Sequence, residues 1–400
     1  PGSSAIGHVR YTTAGQHRLA NVQPFFAEIS VGKVGLAHNG NLINADELRE
    51  ELIEDGAIFG TSSDTEAILH LLARTKKNLP RSERVISALQ RIKGAYSLLM
   101  EFDDRMYAIR DPNGFRPLSL GKLNDGYVFA SETCAFDLIG AEFVRDVEPG
   151  EVLEIDINNE LKSYYPFGVQ KESPCIFEYV YFSRPDSNIY GKNVYSLRIN
   201  MGKELARESL VEADIVMAVP DSGVPAAIGY AQESGIPFEY GLIRNHYVGR
   251  TFIEPTQSIR DFGVKIKLNP NPSLLKGKRV VVVDDSIVRG TTSKKLVKMI
   301  QQAGAKEVHV RISSPPTTDP CYYGIDTPQK EKLIAANSDT ETIRKYLGAD
   351  TLSYISLDGL YRAVDSAKGS FCDACFTGNY PIGIGKSKRI EQVGLFESEE

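Results

Sequence analysis

The spacing of hydrophobic and polar residues changes near residue 166. Before that point, short apolar stretches flank turn sequences such as Asp103-Asp104 and Asn124-Asp125-Gly126, a pattern typical of antiparallel hairpins. Polar caps at Asn44 and Ser63 each precede an amphipathic stretch and predict two helices. After that point, apolar strands alternate with helical segments, which predicts βαβ units and a parallel sheet. We therefore predict an α+β domain over 1–165, an α/β domain over 166–365 and a tail over 366–400.

One predicted strand of the second half ends in a concentration of polar groups. Val280–Val283 form a fully apolar stretch, Asp284 and Asp285 follow it, and a short loop then leads into a helical pattern. Ligands of open α/β sheets bind beyond the carboxyl ends of strands, and the amides at a helix N-terminus attract phosphate. Carboxylates suit ribose hydroxyls, so the layout predicts a sugar-phosphate site. The GxxxxGK[ST] spacing of a P-loop is absent.

The thirteen residues 280–292 resemble the phosphoribosyl pyrophosphate (PRPP) signature of type I phosphoribosyltransferases. An isolated pair of aspartates after a strand would be interpreted as a solvated strand end, but the match here is long. The resemblance implies that Asp284 and Asp285 bind the ribose diol of PRPP. It also implies that the following loop binds the 5′-phosphate, through Ser286, Arg289, Gly290, Thr291 and Thr292.

A second loop has a similar composition. Asp221, Ser222 and Gly223 follow a predicted strand and precede a predicted helix, which alone would indicate an ordinary helix cap. Type I phosphoribosyltransferases bind pyrophosphate at such a loop, and a parallel sheet would open both loops on one edge. Because Mg²⁺ takes few protein oxygens and bridges substrate phosphates, the resemblance implies Mg²⁺ at Ser222, Asp284 and Asp285, directly or through water.

The segment from Arg244 to Leu268 is basic and has little periodicity, which is typical of a surface loop. By the same resemblance it is the flexible lid that closes over PRPP and excludes water from the ribosyl centre. Arg250 and Lys267 are the expected substrate contacts in this lid.

The first half contains three short sequence motifs. Each alone is weak evidence of function, but the three together are informative. They are the HVRY string (8–11), the HNGN string (38–41) and the SSDTE string (62–66). Together they resemble glutamine amidotransferases of the N-terminal-nucleophile class. The resemblance implies that Arg10 binds the substrate carboxylate, that Asn39 and the backbone of Gly40 form the oxyanion hole, and that Asp64 binds the substrate amino group. These residue types suit those tasks.

Both halves together resemble the glutamine PRPP amidotransferases of purine synthesis, over essentially the whole chain. The implied fold is a partial N-terminal-nucleophile (αββα) glutaminase domain followed by a type I phosphoribosyltransferase domain. The implied reaction joins ammonia from glutamine to C1 of PRPP, giving 5-phosphoribosylamine, pyrophosphate and glutamate. The family nucleophile is an amino-terminal cysteine upstream of the HVRY string, whereas this chain begins at Pro1. We therefore expect an amino-terminally truncated chain that lacks the nucleophile and uses ammonia at best.

Five cysteines in 400 residues do not make a disulfide scaffold. Cys372 and Cys375 form a CxxC motif, which alone fits half a zinc site, a redox pair or two buried thiols. With Cys175 and Cys321 they resemble the [4Fe–4S] ligands of one subclass of the family, although four cysteines also suit zinc. The implied role is structural, pinning the tail to the transferase domain. Cys134 is expected to be a buried thiol.

Net charge and composition exclude two classes of binding partner. A net charge of −6 and an isoelectric point near 5.7 argue against a nucleic-acid-binding surface, and no apolar stretch approaches a membrane span. The resemblance implies feedback inhibition by purine nucleotides, a homo-oligomer (a tetramer) and a cytoplasmic location, or a plastid one if a transit peptide precedes the chain. Three alternatives stay open: a nucleobase phosphoribosyltransferase, a PRPP-sensing transcription regulator and an inactive fragment.

Overall fold

The structure is a computed structural model that describes residues 4–10, 19–30, 32–245 and 268–385. Its first half is antiparallel. The strands are β1 (Phe25–Ile29), β2 (Gly32–Leu42), β3 (Gly94–Phe102), β4 (Arg105–Arg110), β5 (Ser119–Leu123), β6 (Gly126–Ala130), β7 (Glu142–Asp146), β8 (Val152–Asp156) and β9 (Leu161–Tyr164). The helices are α1 (Ala45–Glu54), α2 (Thr65–Ala73), α3 (Arg81–Leu89) and α4 (Cys134–Ile139), and Leu19–Asn21 form a 3-10 turn.

Two antiparallel sheets stack in this half. The larger has the strand order β1-β2-β3-β4-β8-β9, and the smaller has the order β6-β5-β7. One face of the larger sheet packs on α1–α3 through an apolar core, and its other face packs on the smaller sheet through residues such as Ala108, Leu120 and Leu153. Helix α4 covers the smaller sheet, where the ring of Phe136 lies against Gly121. The layer order is therefore the expected αββα.

The second half contains the parallel sheet. Its strands are β10 (Asn188–Ile189), β11 (Lys192–Asn193), β12 (Ile215–Ala218), β13 (Leu242–Arg244), β14 (Leu268–Pro270), β15 (Arg279–Asp284), β16 (Glu307–Ile312) and β17 (Thr351–Tyr354). Its helices are α5 (Val194–Glu208), α6 (Val224–Ser234), α7 (Pro272–Leu275), α8 (Thr291–Gln302), α9 (Ile334–Asn337), α10 (Thr340–Leu347), α11 (Leu357–Ala363) and α12 (Ala374–Thr377). Glu178–Phe182 form a π-helical turn and Lys330–Lys332 a 3-10 turn.

The parallel sheet has the order β12-β15-β16-β17 and is covered on both faces. Val281 and Val283 point into a core shared with α5, α6 and α11, whereas Val280 and Val282 point into a core shared with α8 and α10. Burial on both faces explains why the strand consists of consecutive valines instead of alternating apolar and polar residues. No helix in the described ranges is long and apolar enough to cross a membrane.

Most predicted elements are present near their expected bounds, and β16 begins and ends where predicted. The predicted strand 237–241 is wrong. Only Phe238 bridges to β12, at Val216, because the chain leaves the sheet two residues later to form β13. Helix α5 was not predicted, although it is 15 residues long.

Candidate functional sites

The two loops expected to bind PRPP lie side by side. Strands β12 and β15 are adjacent and parallel, and the Val219 amide donates a hydrogen bond to the Val283 carbonyl at 2.9 Å. A Cβ atom at Gly223 would lie 2.5 Å from that carbonyl oxygen and 3.2 Å from the Cα atom of Asp284. Position 223 therefore has room for a glycine only, unless one loop moves. The predicted convergence of the two loops at one sheet edge is present.

Asp284 is the last residue of β15, and Asp285 follows it and is buried. The Asp285 amide donates to Oδ1 of Asp284 at 2.9 Å, and the Ser286 hydroxyl donates to Oδ2 of Asp285 at 2.5 Å. Burial raises the pKa of Asp284 well above its ordinary value, and the charge of Asp285 raises it further. Two adjacent carboxylates of this kind suit a ligand that brings hydroxyl donors or a cation.

The loop after these aspartates ends at the N-terminus of α8. Gly290 has a φ of 72° and lies directly before the helix, in the left-handed region that favours glycine. Arg289, Thr291 and Thr292 are exposed. The N-terminus of this twelve-residue helix and its two exposed threonines thus follow the carboxylates closely, an arrangement that suits a phosphate.

An ion pair joins the other loop to the basic segment that follows β13. Asp221 accepts from the guanidinium of Arg244, a partner that sequence reasoning did not assign. Strand β13 pairs with β14, Leu242 facing Pro270, so both ends of the expected lid start from one place. Residues 246–267 lie outside the described part of the chain, and Arg250 and Lys267 are among them.

The three glutaminase strings also converge. The HNGN string forms the end of β2, beside β3, with Gly40 opposite Tyr96. The ring Nε2 of His8 lies 3.1 Å from the carbonyl oxygen of His38, which places His8 against that strand. Asp64, directly before α2, accepts a hydrogen bond from the Leu42 amide at 2.9 Å. Arg10, Asn39, Gly40 and Asp64 therefore lie in one region of the first half.

Gly40 occupies a position that only glycine fits. Its φ is 150°, and a Cβ atom there would lie 2.0 Å from the carbonyl oxygen of Ala95 on β3. The neighbouring Asn39 amide donates to the Ser131 hydroxyl at 3.4 Å, a long contact that a substrate oxygen could replace. The backbone at the expected oxyanion hole is thus fixed by the sheet.

A buried network around His38 was not predicted from the sequence. Its Nε2 lies 3.2 Å from the Ala95 carbonyl, which can only accept, so Nε2 carries the proton and donates. The Nδ1 atom then accepts from the Thr65 hydroxyl at 3.0 Å, and the His38 amide donates to Gln23 at 2.7 Å. This network ties the HNGN strand to the SSDTE string.

Four of the five cysteines come together where the tail meets both halves. Cys175 and Cys372 form a parallel bridge, in which the Ile176 amide donates to the Cys372 carbonyl at 3.2 Å. The Cys375 carbonyl accepts from the amides of residues 318 and 319, close before Cys321. Cys134 lies elsewhere, at the start of α4, and is the buried thiol that was predicted.

The four thiols act on one another electrostatically. Burial raises the pKa of Cys175 to about 12, and the pKa of Cys375 is raised by burial and by the charges of Cys175, Cys321 and Cys372. Within the described ranges, however, no three or more Cys, His, Asp or Glu side chains are arranged to hold one metal ion.

Family models match both halves of the chain. A glutamine amidotransferase domain matches residues 8–137, and a phosphoribosyl transferase domain matches residues 199–319. Amidophosphoribosyltransferase from Rhizobium etli is 54% identical, over 98% of this chain and 81% of the relative. The Bacillus subtilis relative is 52% identical, over 98% of this chain and 83% of its own length.

The chain belongs to the amidophosphoribosyltransferase family. The glutamine PRPP amidotransferase structure from Bacillus subtilis, complexed with ADP and GMP, aligns with a TM-score of 0.88 and 51% identity over 95% of this chain and 83% of that one. Amidophosphoribosyltransferases catalyse the first committed step of purine synthesis. This confirms the predicted fold class and enzyme, whereas the nucleobase transferase, regulator and inactive-fragment alternatives gain no support.

In this amidophosphoribosyltransferase the two halves touch at the glutaminase site itself. The Asn41 side-chain amide donates to the Tyr322 carbonyl at 2.9 Å. A Cβ atom at Gly324 would lie 2.8 Å from the Cα atom of Gly40. The loop that carries Cys321 therefore packs directly on the strand that carries the expected oxyanion hole.

Proposed function

We propose that this amidophosphoribosyltransferase transfers ammonia to PRPP at the edge of its parallel sheet, and that the convergent site of its first half binds glutamine. The observation that carries the proposal is the paired arrangement of loops at the edge of the parallel sheet, with two carboxylates beside a helix N-terminus. Purified protein should release pyrophosphate from PRPP in the presence of ammonia and Mg²⁺. Absence of that activity in folded protein would contradict the assignment.

In the transferase site, Asp284 and Asp285 accept hydrogen bonds from the ribose hydroxyls. The amides and hydroxyls at the start of α8 hold the 5′-phosphate, with Arg289 beside them. Asp221, Ser222 and Gly223 face the pyrophosphate, and Arg250 and Lys267 are further substrate-binding residues of this proposal. Ammonia attacks C1 as the bond between C1 and the pyrophosphate oxygen breaks. Mg²⁺, held by Ser222, Asp284 and Asp285 directly or through water, would neutralise the leaving pyrophosphate.

In the glutaminase site, Arg10 binds the carboxylate of glutamine and Asp64 binds its amino group. Asn39 and the Gly40 backbone stabilise the oxyanion that forms when the amide is attacked. The sheet contact at Ala95 and the His38 network support this role, because preorganised donors stabilise a transition state best.

We further propose that Cys175, Cys321, Cys372 and Cys375 hold one [4Fe–4S] cluster. A single zinc ion binds each thiolate at about 2.3 Å and needs all four sulfurs close together. A cubane cluster binds each thiolate through a separate iron atom and accepts a wider spacing. The resemblance of these four cysteines to the cluster ligands of the family, together with the influence of their charges on one another, supports the cluster.

Metal analysis tests this assignment. Anaerobically purified protein should be brown, carry iron and acid-labile sulfide, and bleach in oxygen. Cys321→Ser should abolish iron binding, whereas Cys134→Ser should leave it unchanged because Cys134 lies elsewhere. Stoichiometric zinc without sulfide would reject the cluster.

Purine nucleotides are the proposed feedback inhibitors, since a solved relative holds ADP and GMP. A homo-oligomer, a tetramer by family resemblance, is supported by exposed apolar side chains on α4 and β7: Leu138, Ile139, Phe143 and Val144. Sedimentation of Phe143→Glu against the parent chain tests this interface. A cytoplasmic or plastid location stays a prediction, because relatives are bacterial and chloroplastic proteins.

A further inference from the structure

Arg116 is a buried cation of the first half that lies against the cysteine region. Its side chain is 3% exposed, and its Nη2 atom lies 2.8 Å from Oε1 of Glu178 in the second half. Glu178 is equally buried, and its other oxygen accepts from the Ser183 hydroxyl at 2.5 Å. The geometry at Oε1 is that of an ion pair without a well-directed hydrogen bond. This ion pair involves only the Nη2 atom of the guanidinium.

The remaining donors of Arg116 are unused. Its Nε and Nη1 atoms are buried and have no hydrogen-bond partner. Leaving a buried donor unsatisfied costs about 1–3 kcal/mol, and more when the group is charged. Two such donors on one guanidinium indicate that an acceptor completes the site. The guanidinium also lies over the Phe182 ring, 5.1 Å from the ring centroid. An aromatic ring of this kind does not supply the missing acceptor.

The segments that carry Cys175 and Cys321 pack against Phe115, the residue next to Arg116. The adjacent Phe115 carbonyl accepts from the Cys175 amide at 3.1 Å, and the Phe115 ring stacks on Tyr323, whose amide donates to the Cys321 sulfur. The charges of Cys175 and Cys321 both act on Arg116 and raise its pKa. Arg116 thus sits between the segments that carry two of the proposed cluster ligands.

The backbone at Arg116 is held rigidly by its own domain. Its carbonyl accepts from Nε of Arg110 at 2.9 Å and from the Ser97 hydroxyl at 3.2 Å. The glutaminase sheet therefore fixes where the guanidinium points, independently of any ligand. A donor that is preorganised in this way can orient and stabilise a metal group without ligating it.

We propose that Arg116 donates hydrogen bonds to the sulfur atoms of the iron–sulfur cluster and balances its negative charge. The inference rests on the proposed cluster. Four thiolates give a [4Fe–4S] group a net negative charge, and hydrogen bonds to its sulfurs tune its properties. The cluster is then held by both halves of the chain: four thiols from the second half and its tail, and one cation from the glutaminase domain.

The test compares cluster loss in three variants with the parent protein. Arg116→Met removes the donors and the charge, and Arg116→Lys keeps the charge without the planar fork. Arg84→Met is the matched control, because Arg84 is equally buried in the first half but bonds to Ser30 and Thr75, away from the thiols. Iron, sulfide and the rate of bleaching in air are measured for each.

Arg116→Met should bleach about tenfold faster or more, as expected when an outer partner of a metal site is lost. Arg116→Lys should fall between Arg116→Met and the parent protein, and Arg84→Met should bleach like the parent. If Arg116→Met does not fold, the Fe–S stretching frequencies of Arg116→Lys, measured by resonance Raman, should shift from those of the parent. Parent-like bleaching or frequencies in the Arg116 variants would overturn this inference and leave the cluster intact. Zinc without sulfide in the parent protein would reject the cluster itself.

Discussion

The glutaminase site and the transferase site of this protein are built on opposite principles. The glutaminase residues lie on a strand inside a six-stranded antiparallel sheet or are bonded to it, so Gly40 and Asp64 are already fixed before substrate binds. The transferase residues lie on two loops at a sheet edge, where Asp284 and Asp285 repel each other and the phosphate-binding hydroxyls are exposed.

The difference matches the chemistry of each site. An oxyanion hole works by preorganised dipoles, and a strand provides them at little cost during the reaction. A PRPP site must admit a large anion with Mg²⁺, so Asp284 and Asp285 keep their mutual repulsion until the ligand arrives. Substitutions in the first site should therefore change stability, whereas those in the second should change affinity.

The largest expected effect comes from Gly40→Ala. The new Cβ atom would lie 2.0 Å from the Ala95 carbonyl oxygen at a φ of 150°, so two central strands must separate. We expect a loss of about 3 kcal/mol or more in the free energy of unfolding, measured by urea denaturation. Gly140→Ala is the control, since φ there is 70° but the space is open; it should cost about 1 kcal/mol. Equal losses would show that the strand is not rigid.

The next effect belongs to the transferase site. Replacing Asp284 and Asp285 together by Asn should weaken PRPP binding by about 3 kcal/mol, or about 100-fold in Kd, since two charge-assisted hydrogen bonds are lost. Calorimetry with Mg²⁺ and PRPP measures this. Asp137→Asn with Glu142→Gln, a pair of exposed acids, changes the net charge equally and should leave affinity unchanged.

The same double variant, with Asn at positions 284 and 285, should bind PRPP more weakly but should be at least as stable as the parent protein. The pKa of Asp284 is raised in the folded protein, so the folded state binds more protons than the unfolded state between the two pKa values. Stability therefore falls as pH rises through that window, and the ionised form carries this penalty at neutral pH. Asn removes the penalty, so the variant should unfold at an equal or higher temperature at pH 7. A marked loss of stability would show that the carboxylates are structural.

Sequence patterns predicted the transferase site better than its surroundings. The valine strand with its two aspartates carries a local signal, because burial and loop chemistry are both visible in consecutive residues. Helix α5 also has a local signal, although it was not predicted: its buried Val194, Leu197, Met201 and Leu205 repeat at helical spacing, and Asn193 caps it.

Other features could not be predicted from local patterns. The ion pair of Asp221 with Arg244 joins residues on separate elements, and the contact of Gly40 with Gly324 joins the two halves of the chain. The sequence separation within each of these pairs shows no periodicity and matches no motif. Only the packing of complete sheets brings such residues together.

A smaller effect is expected from Gly223→Ala, which tests whether a clash in the transferase site changes affinity and not stability. The new Cβ atom would lie 2.5 Å from the Val283 carbonyl oxygen, but this loop begins at the exposed Asp221 and can shift more easily than the paired strand at Gly40. We expect PRPP to bind about tenfold more weakly. Gly235→Ala, at the other end of α6, has open space and a φ of 73°. It should cost some stability without changing PRPP affinity.

The smallest effect concerns the contact between the two halves. Asn41→Ala removes one hydrogen bond, from Nδ2 to the Tyr322 carbonyl, which is worth about 1 kcal/mol. Because Asn41 follows the oxyanion-hole residues directly, its loss should loosen them and leave the PRPP loops untouched. After addition of an amino-terminal Cys-Gly segment to each variant, the ratio of glutamine-dependent to ammonia-dependent product formation should fall about fivefold. Asn44→Ala is the matched control, since Asn44 bonds within its own domain, to the backbone of residues 91 and 93. It should lower stability and leave the ratio unchanged, so equal ratios in both variants would show that the halves touch without influencing each other.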